Sequence, residues 1–426
     1  LIFGPPGTGK TTTLVAAIGG CLRMQHHMSV NHPPLRMLVA APSNSAADLL
    51  CDRLATRWGL NPKNMVRIMA YSRERHTWPA SIVSYSKVTG SMPLTELLVY
   101  EVVVTTLNLA ASLYNKGVPR GHFNRFFIDE AGQATEPEMI AAVGSLLSSA
   151  PGEEEGQLVL AGDPKQLGPV ILSPVARSCG LEVSALERLM SSQVYGRDST
   201  SKDPGMLYDH RVMTKLVNNY RSHSAILQLP NERFYDGDLN EAADERVTKS
   251  LEEWEELPVR GWPVIFHSVQ GEDEREGNSP SWFNRDECAQ VLEYVQKLVN
   301  ESKPQLALKP EQIMVITPYH KQVLKLNLLL GKKGFGKVRV GSTEKMQGQE
   351  SRVVIISTVR SSKEFVECDK RHSLGFLSNP KRFNVAMTRA QALLIVVGNA
   401  SVLSRDPNWT HFMKMCASKG AWAGEK

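Results

Sequence analysis

The chain has 426 residues, 42% of them apolar and 22% charged, a globular composition long enough for two or more domains with cores of their own. Its formal net charge of +5 suits an anionic partner without demanding one, since solvated lysines give the same balance. Six cysteines (Cys21, Cys51, Cys179, Cys288, Cys368 and Cys416) are scattered with no C-x-x-C pair, which excludes a zinc-finger spacing and argues for free thiols in a reducing compartment. No apolar run is long enough to span a bilayer, so the chain reads as soluble, with no membrane partner.

Leu1, Ile2 and Phe3 read as the end of a buried strand, and the stretch GPPGTGKT from Gly4 to Thr11 fits G-x-x-x-x-G-K-[ST] at every fixed position. Such a loop turns successive backbone N–H groups inward and hands over to a helix N-terminus, so phosphate oxygens meet aligned donors and a positive dipole end. Gly4, Gly7 and Gly9 let the backbone come close. Lys10 reaches the β and γ phosphates, the Thr11 hydroxyl is a ligand for Mg2+, and Pro5, Pro6, Thr8 and Thr12 complete the loop. A bare Gly/Pro turn gives no reason for Lys and Thr at those two positions, so a nucleotide with Mg2+ is the expected cofactor pair. His26, His27 and His32 fall in a polar, Pro-containing stretch that reads as a surface loop rather than a metal site.

Downstream, short β-branched runs alternate with helical patterns, the signature of βαβ units and a mainly parallel sheet. The expected strands are 37–42, 101–106, 125–130 and 157–163, then a second set at 263–268, 313–318, 353–358 and 393–398. Residues 191–209 are polar, contain Gly and Pro, and read as a connection, which predicts two similar α/β domains, 1–205 and 206–426, the second with a C-terminal tail. Met65 to Leu97, with Arg67, Arg73, Arg75, Lys87 and Trp78, reads as irregular, a small inserted segment near 65–100.

Further chemistry follows the strands. Asp129, after the apolar Phe126-Phe127-Ile128, stands where a P-loop enzyme holds Mg2+, and Glu130 beside it can orient or deprotonate a water. The loop Gly162-Asp163-Pro164-Lys165-Gln166 brings an amide, Gln166, suited to sensing the γ-phosphate. Tyr220 and Arg221 supply an aromatic platform and a cation, and Arg389 a second cation. Arginines that face a γ-phosphate stabilise the spread charge of the phosphoryl-transfer transition state.

Together GPPGTGKT, APSNSAAD, DEAGQATEPE, GDPKQLGPV, NYRSH, STEKMQGQE and NVAMTRAQ resemble the superfamily 1 helicases of the up-frameshift-like branch. Within it, EREGNSPSWFNRDE, VITPYHKQV, ISTVRSS and LGFLSNPKRFNVAMTRA look like the Moloney-leukaemia-virus-10-like RNA helicases, which include the plant silencing-defective and fly Armitage proteins. Met346 and His320 stand where that family has an aromatic and an Arg. The resemblance implies two tandem RecA-like P-loop domains with mainly parallel sheets and ATP in the cleft between them. It also implies a monomeric ATP hydrolase moving 5′ to 3′ on single-stranded RNA. Carried over residue by residue, it assigns catalysis to Lys10, Asp129, Glu130, Gln166, Arg221 and Arg389, Mg2+ to Thr11 and Asp129, adenine stacking to Tyr220 and a place at the ribose to Glu350. For RNA it assigns Pro42, Ser43, Asn44, Thr105, Thr106, Thr317, Pro318, Ser342 and Thr343, small polar groups suited to gripping a sugar-phosphate backbone. By analogy the partners are Argonaute-containing silencing complexes in cytoplasmic granules. A DNA helicase of the same superfamily, or an ATP-switched RNA clamp without unwinding, remain the alternatives. In related helicases an adenine-reading glutamine segment and a stalk-like β-barrel precede the phosphate loop, so the chain is expected to be a fragment that starts at the loop.

Overall fold

The computed structural model describes residues 1–27, 34–147, 156–198, 208–277, 279, 281–301, 303, 306–362, 375, 376 and 379–425. These form two compact units, one of Leu1–Pro5, Gly9–Pro164 and Gly168–Leu216, the other of Pro6–Thr8, Lys165–Leu167 and Val217–Lys426.

In the first unit the strands are β1 (Ile2–Phe3), β2 (Met37–Ala41), β3 (Met65–Met69), β4 (Ser86–Val88), β5 (Val102–Thr106), β6 (Arg125–Ile128), β7 (Gln157–Gly162) and β8 (Thr214–Lys215). They lie in the order β4-β3-β5-β2-β6-β7-β1-β8, and every pairing is parallel. A parallel sheet covered on both faces needs apolar residues at every position, and β2 shows why. Leu38 and Ala40 pack into one apolar cluster, Met37, Val39 and Ala41 into the other. Helix α1 (Lys10–His27) follows the phosphate loop, and α2 (Asn44–Trp58) follows β2, capped by the Ser43 hydroxyl, which accepts from the Ala46 N–H, and closed by Gly59 at φ +66°.

The second unit contains a parallel pair, β9 (Asn218–Asn219) and β10 (Asn240–Glu241), and β11 (Val264–Ser268) of the main sheet. An antiparallel hairpin, β12 (Asp273–Arg275) and β13 (Trp282–Asn284), follows. The main sheet continues with β14 (Ile313–Ile316), β15 (Arg339–Gly341), β16 (Ser351–Ser357), β17 (Ala390–Gly398) and β18 (Trp422–Gly424). Its order is β15-β14-β16-β17-β11-β18, again all parallel. Alternate residues of β16 and β17 feed two apolar clusters, Val354, Ile356, Leu394 and Val396 on one side and Val353, Ile355, Leu393 and Ile395 on the other. The mixed α/β class with large, mainly parallel sheets is therefore present, and each strand expected from an apolar run is found.

Two local readings change. Met65–Met69, expected to be irregular, is a buried strand between β5 and β4. Arg67 interrupts its apolar run, yet its side chain is fully buried because Asp48 and Asn44 on α2 satisfy it. Residues 26 and 27 end α1 rather than lying in a loop, while His32 is outside the described residues. So is 199–207 of the expected connection, and so are Cys368, residues 278 and 280 of EREGNSPSWFNRDE (274–287), and residues 374, 377 and 378 of LGFLSNPKRFNVAMTRA (374–390). Cys21, Cys51, Cys179, Cys288 and Cys416 are free thiols. Among the described residues no helix is long and apolar enough to cross a membrane.

Candidate nucleotide site

In the first unit the phosphate loop leaves β1 with the Gly4 N–H donating to Gly162 O at 3.0 Å. Gly9 takes φ +82°, open to glycine at no steric cost, and a Cβ on Gly4 would lie 1.9 Å from Lys10 Cγ. The lysine stem thus occupies the space that only glycine leaves.

Thr11, in the first turn of α1, donates from Oγ1 to Asp129 Oδ2 at 2.7 Å. Asp129 is 2% exposed at the end of β6. Burial, with the Glu130 charge beside it, pushes its carboxyl up to about 6, while the Thr11 hydroxyl and the Lys10 charge act the other way. A buried carboxylate and a hydroxyl this close are hard oxygen donors of the kind Mg2+ takes when phosphates complete its shell. The residues fit that ion. Bound there, it would neutralise charge on the phosphate oxygens. Glu130 has φ +51°, a left-handed backbone unusual for a non-glycine residue, and its Oε2 accepts from Gln133 Nε2 at 3.0 Å. Arg53, which the sequence did not single out, donates from Nη1 to Thr12 Oγ1 at 3.2 Å.

The second unit gathers the other nucleotide candidates. Asn219 donates from Nδ2 to Pro6 O at 2.7 Å, and the Tyr220 N–H to Gly7 O at 2.8 Å. A Cβ on Gly7, which has φ +71°, would lie 2.7 Å from Arg221 Cβ. Arg221 Nε donates to Glu350 Oε2 at 2.6 Å, and Gln391 Nε2 to Glu350 Oε1 at 3.2 Å. The Tyr220 ring is 61% exposed, as a stacking platform requires. Arg389 is 1% exposed and donates from Nε to Val385 O at 2.9 Å and from Nη2 to Gln166 Oε1 at 3.3 Å. Sequence reasoning missed Asn219 and Gln391; an Asn beside the Tyr-Arg pair was the available signal for the first, and none existed for the second.

The RNA candidates divide by exposure. Ser43 and Asn44 are exposed at the start of α2, with Pro42 half-buried before them. Thr105 is fully buried and donates its hydroxyl to Ile68 O at 3.3 Å, whereas Thr106 is half-buried at the end of β5. In the second unit Thr317 and Thr343 are buried with hydroxyls that make no hydrogen bond among the described residues. Pro318 is half-buried, and Ser342 caps the short helix Thr343–Met346 by accepting from the Lys345 N–H. Met346 is buried in the apolar cluster of its unit, so a flexible thioether fills the place of the family's aromatic ring.

A Walker-type loop over a buried Thr-Asp pair on a parallel sheet defines a P-loop nucleotide-binding protein, and the chain belongs to the AAA domain family, whose models match residues 1–91, 84–174 and 181–401. It is similar over 100% of its length to putative helicase mov-10-B.1 of Danio rerio, at 46% identity over 438 residues and 42% of that protein. RNA helicase Mov10l1 of Mus musculus is 46% identical over 424 residues, covering 100% of this chain and 34% of that protein. Probable RNA helicase armi of Drosophila melanogaster is 33% identical over 455 residues, covering 100% and 37% respectively. The resemblance to the up-frameshift-like, Moloney-leukaemia-virus-10-like helicases is borne out. The chain spans less than half the length of these relatives.

Proposed function

We propose that this chain is the motor core of an ATP-dependent RNA helicase, moving 5′ to 3′ along single-stranded RNA in RNA silencing or mRNA regulation. The observation that carries the reading is the Thr11–Asp129 hydrogen bond at the foot of the phosphate loop, a hydroxyl and carboxylate pair built for a nucleotide-bound Mg2+. Relatives named as RNA helicases support the substrate class. The two helicase domains are 1–205, with its inserted segment near 65–100, and 206–426.

In this reading Gly4 to Thr12, Tyr220 and Glu350 bind ATP. Glu130 takes the proton of the water that attacks the γ-phosphorus as the bond to the β–γ bridging oxygen breaks, leaving ADP and phosphate. Gln166, Arg221 and Arg389 stabilise the charge spread over the equatorial oxygens. Pro42, Ser43, Asn44, Thr106, Thr317, Pro318, Ser342 and Thr343 hold the strand by its backbone, so ATP turnover becomes movement without base reading, whereas Thr105, fully buried with its hydroxyl on Ile68 O, supports the strand end behind them. The protein works as a monomer in cytoplasmic ribonucleoprotein granules, with Argonaute-containing complexes as partners.

The test is ATP hydrolysis without nucleic acid, with single-stranded RNA and with single-stranded DNA, using Lys10→Ala as the blank. Stimulation that favours RNA and disappears in the variant is expected. Equal or better stimulation by DNA would move the substrate to DNA, and nucleotide binding without stimulation would sink the motor reading.

A further inference from the structure

Asn44 opens α2 with its side chain exposed, and the way its amide is held is not explained by helix capping, which Ser43 performs. Asn44 Oδ1 accepts from two guanidinium groups, Arg67 Nη2 at 3.0 Å and Arg73 Nη1 at 3.3 Å. Both arginines are locked in turn by Asp48, one helical turn further on. Arg67 Nε donates to Asp48 Oδ1 at 3.0 Å and Arg73 Nη2 to Asp48 Oδ2 at 2.6 Å. Arg67 is fully buried and Arg73 holds the loop after β3 through Thr77 O, so this clamp joins two elements of the first unit.

The chemistry of an amide makes the consequence directional. Its oxygen accepts and its nitrogen donates, so with two cations in front of Oδ1 the flipped orientation would press N–H groups against guanidinium N–H groups. The amide therefore has one orientation, with Nδ2 turned away from the clamp, where it donates to no described residue. Two guanidinium groups against one carboxylate leave the clamp with one net positive charge, beside a helix whose first turn carries no acidic residue.

We propose that Arg67 and Arg73 are positioning residues for single-stranded RNA: they fix Asn44 so that Nδ2 donates to a phosphate oxygen of the strand. Their surplus charge polarises the amide toward an anionic acceptor, not a base edge or a sugar hydroxyl. The inference rests on the RNA-motor reading above and deepens it, because it gives the arginines after α2 a part in the grip.

The experiment measures binding of the 426-residue chain to a fluorescein-labelled oligouridylate by anisotropy over a salt series. Asn44→Ala and Arg73→Gln should each weaken binding about tenfold, the scale of a hydrogen bond to a charged group. The double variant should be no weaker than Asn44→Ala, and the slope of log affinity against log salt should stay at the wild-type value in Arg73→Gln. Asn44→Asp tests the idea without loosening the fold: two arginines still meet an acceptor, so the thermal midpoint holds or rises while RNA binding falls. An unchanged affinity in Arg73→Gln or Asn44→Asp overturns the proposal. Multiplicative losses in the double variant, or a salt slope reduced by about 0.7 in Arg73→Gln, would show that Arg73 grips a phosphate itself. A wild-type chain that does not bind the oligonucleotide sinks the RNA reading and this proposal with it, whereas binding that ignores Arg73 sinks this proposal alone.

Discussion

The Thr11 hydroxyl donates to the buried Asp129 carboxylate at 2.7 Å, tying the first turn of α1 to the end of β6. The bond holds Asp129 in the orientation that leaves its second oxygen on the Glu130 N–H, which donates to Oδ1 at 2.9 Å. Both carboxylate oxygens are therefore oriented before any ligand arrives. Thr11→Ala is expected to lower ATP turnover about 100-fold, as loss of a metal-orienting partner does, while Thr11→Ser keeps most of it. Turnover measured across a Mg2+ titration decides the point: a Thr11→Ala enzyme with wild-type turnover and Mg2+ dependence would remove this pair from the site.

Glu130 illustrates strain kept at a reacting position. Its φ of +51° is a conformation that costs a non-glycine residue on the order of 1 kcal/mol. Glu130→Gly should relieve that cost and leave the thermal midpoint unchanged or higher, yet turnover should fall by about 100-fold or more because the proton acceptor is gone. Glu130→Gln should retain nucleotide and lose turnover alike. A lower midpoint in the glycine variant would mean that the lost hydrogen bond from Gln133 outweighs the backbone strain, and normal turnover in Glu130→Gln would remove the proton acceptor from this position.

Arg389 calls for a different substitution. It is 1% exposed and its Nε serves Val385 O and its Nη2 both Thr388 Oγ1 and Gln166 Oε1, at 2.9, 3.1 and 3.3 Å. Truncation to Ala strips donors from buried acceptors, each worth about 1–3 kcal/mol when orphaned, so a loss of activity in Arg389→Ala would mix folding with catalysis. Arg389→Lys keeps the charge and loses the planar fork. It should leave nucleotide affinity within about threefold and lower turnover about 1,000-fold, the scale of an arginine that acts in the transition state. Weakened binding with normal turnover would contradict that role.

What could be read in the sequence follows from how each feature is encoded. The phosphate loop and the strands that lead to Asp129 and Gln166 are local, a fixed spacing or an apolar run, and they stand where the residues put them. β3 was hidden because Arg67 makes MVRIM look exposed, and the partner that cancels its charge, Asp48, lies on another element. β15 and β18, three residues each, are too short for a pattern. Exposure of the RNA candidates was equally hidden: nothing in a lone Thr distinguishes Thr106, half-buried at a strand end, from Thr105, which gives its hydroxyl to Ile68 O.

Glu287, which no sequence motif marked by itself as buried, carries the last prediction. It lies in the first turn of the helix Arg285–Val299, capped by Asn284, but is fully buried. Its carboxylate accepts from Ser357 Oγ at 2.6 Å and from the Val359 N–H at 2.9 Å to each oxygen. Val359 has φ +73°, an outlier for a β-branched residue, so Glu287 pins the strained turn that leaves β16. Burial pushes the Glu287 carboxyl from an ordinary 4.5 up to about 7, with the hydrogen bonds from Ser357 and Val359 opposing the rise. The folded state then holds the proton more tightly than the unfolded chain. Between about pH 4.5 and 7 the folded protein binds more protons, and this group's contribution to stability falls as pH rises through that window and levels off above it. Glu287→Gln removes the titration. The difference in thermal midpoint between wild type and Glu287→Gln should therefore shift steadily against the wild type from pH 4.5 to 7. A difference that stays flat across that window would show that the hydrogen bonds from Ser357 and Val359 outweigh burial and keep Glu287 ionised throughout.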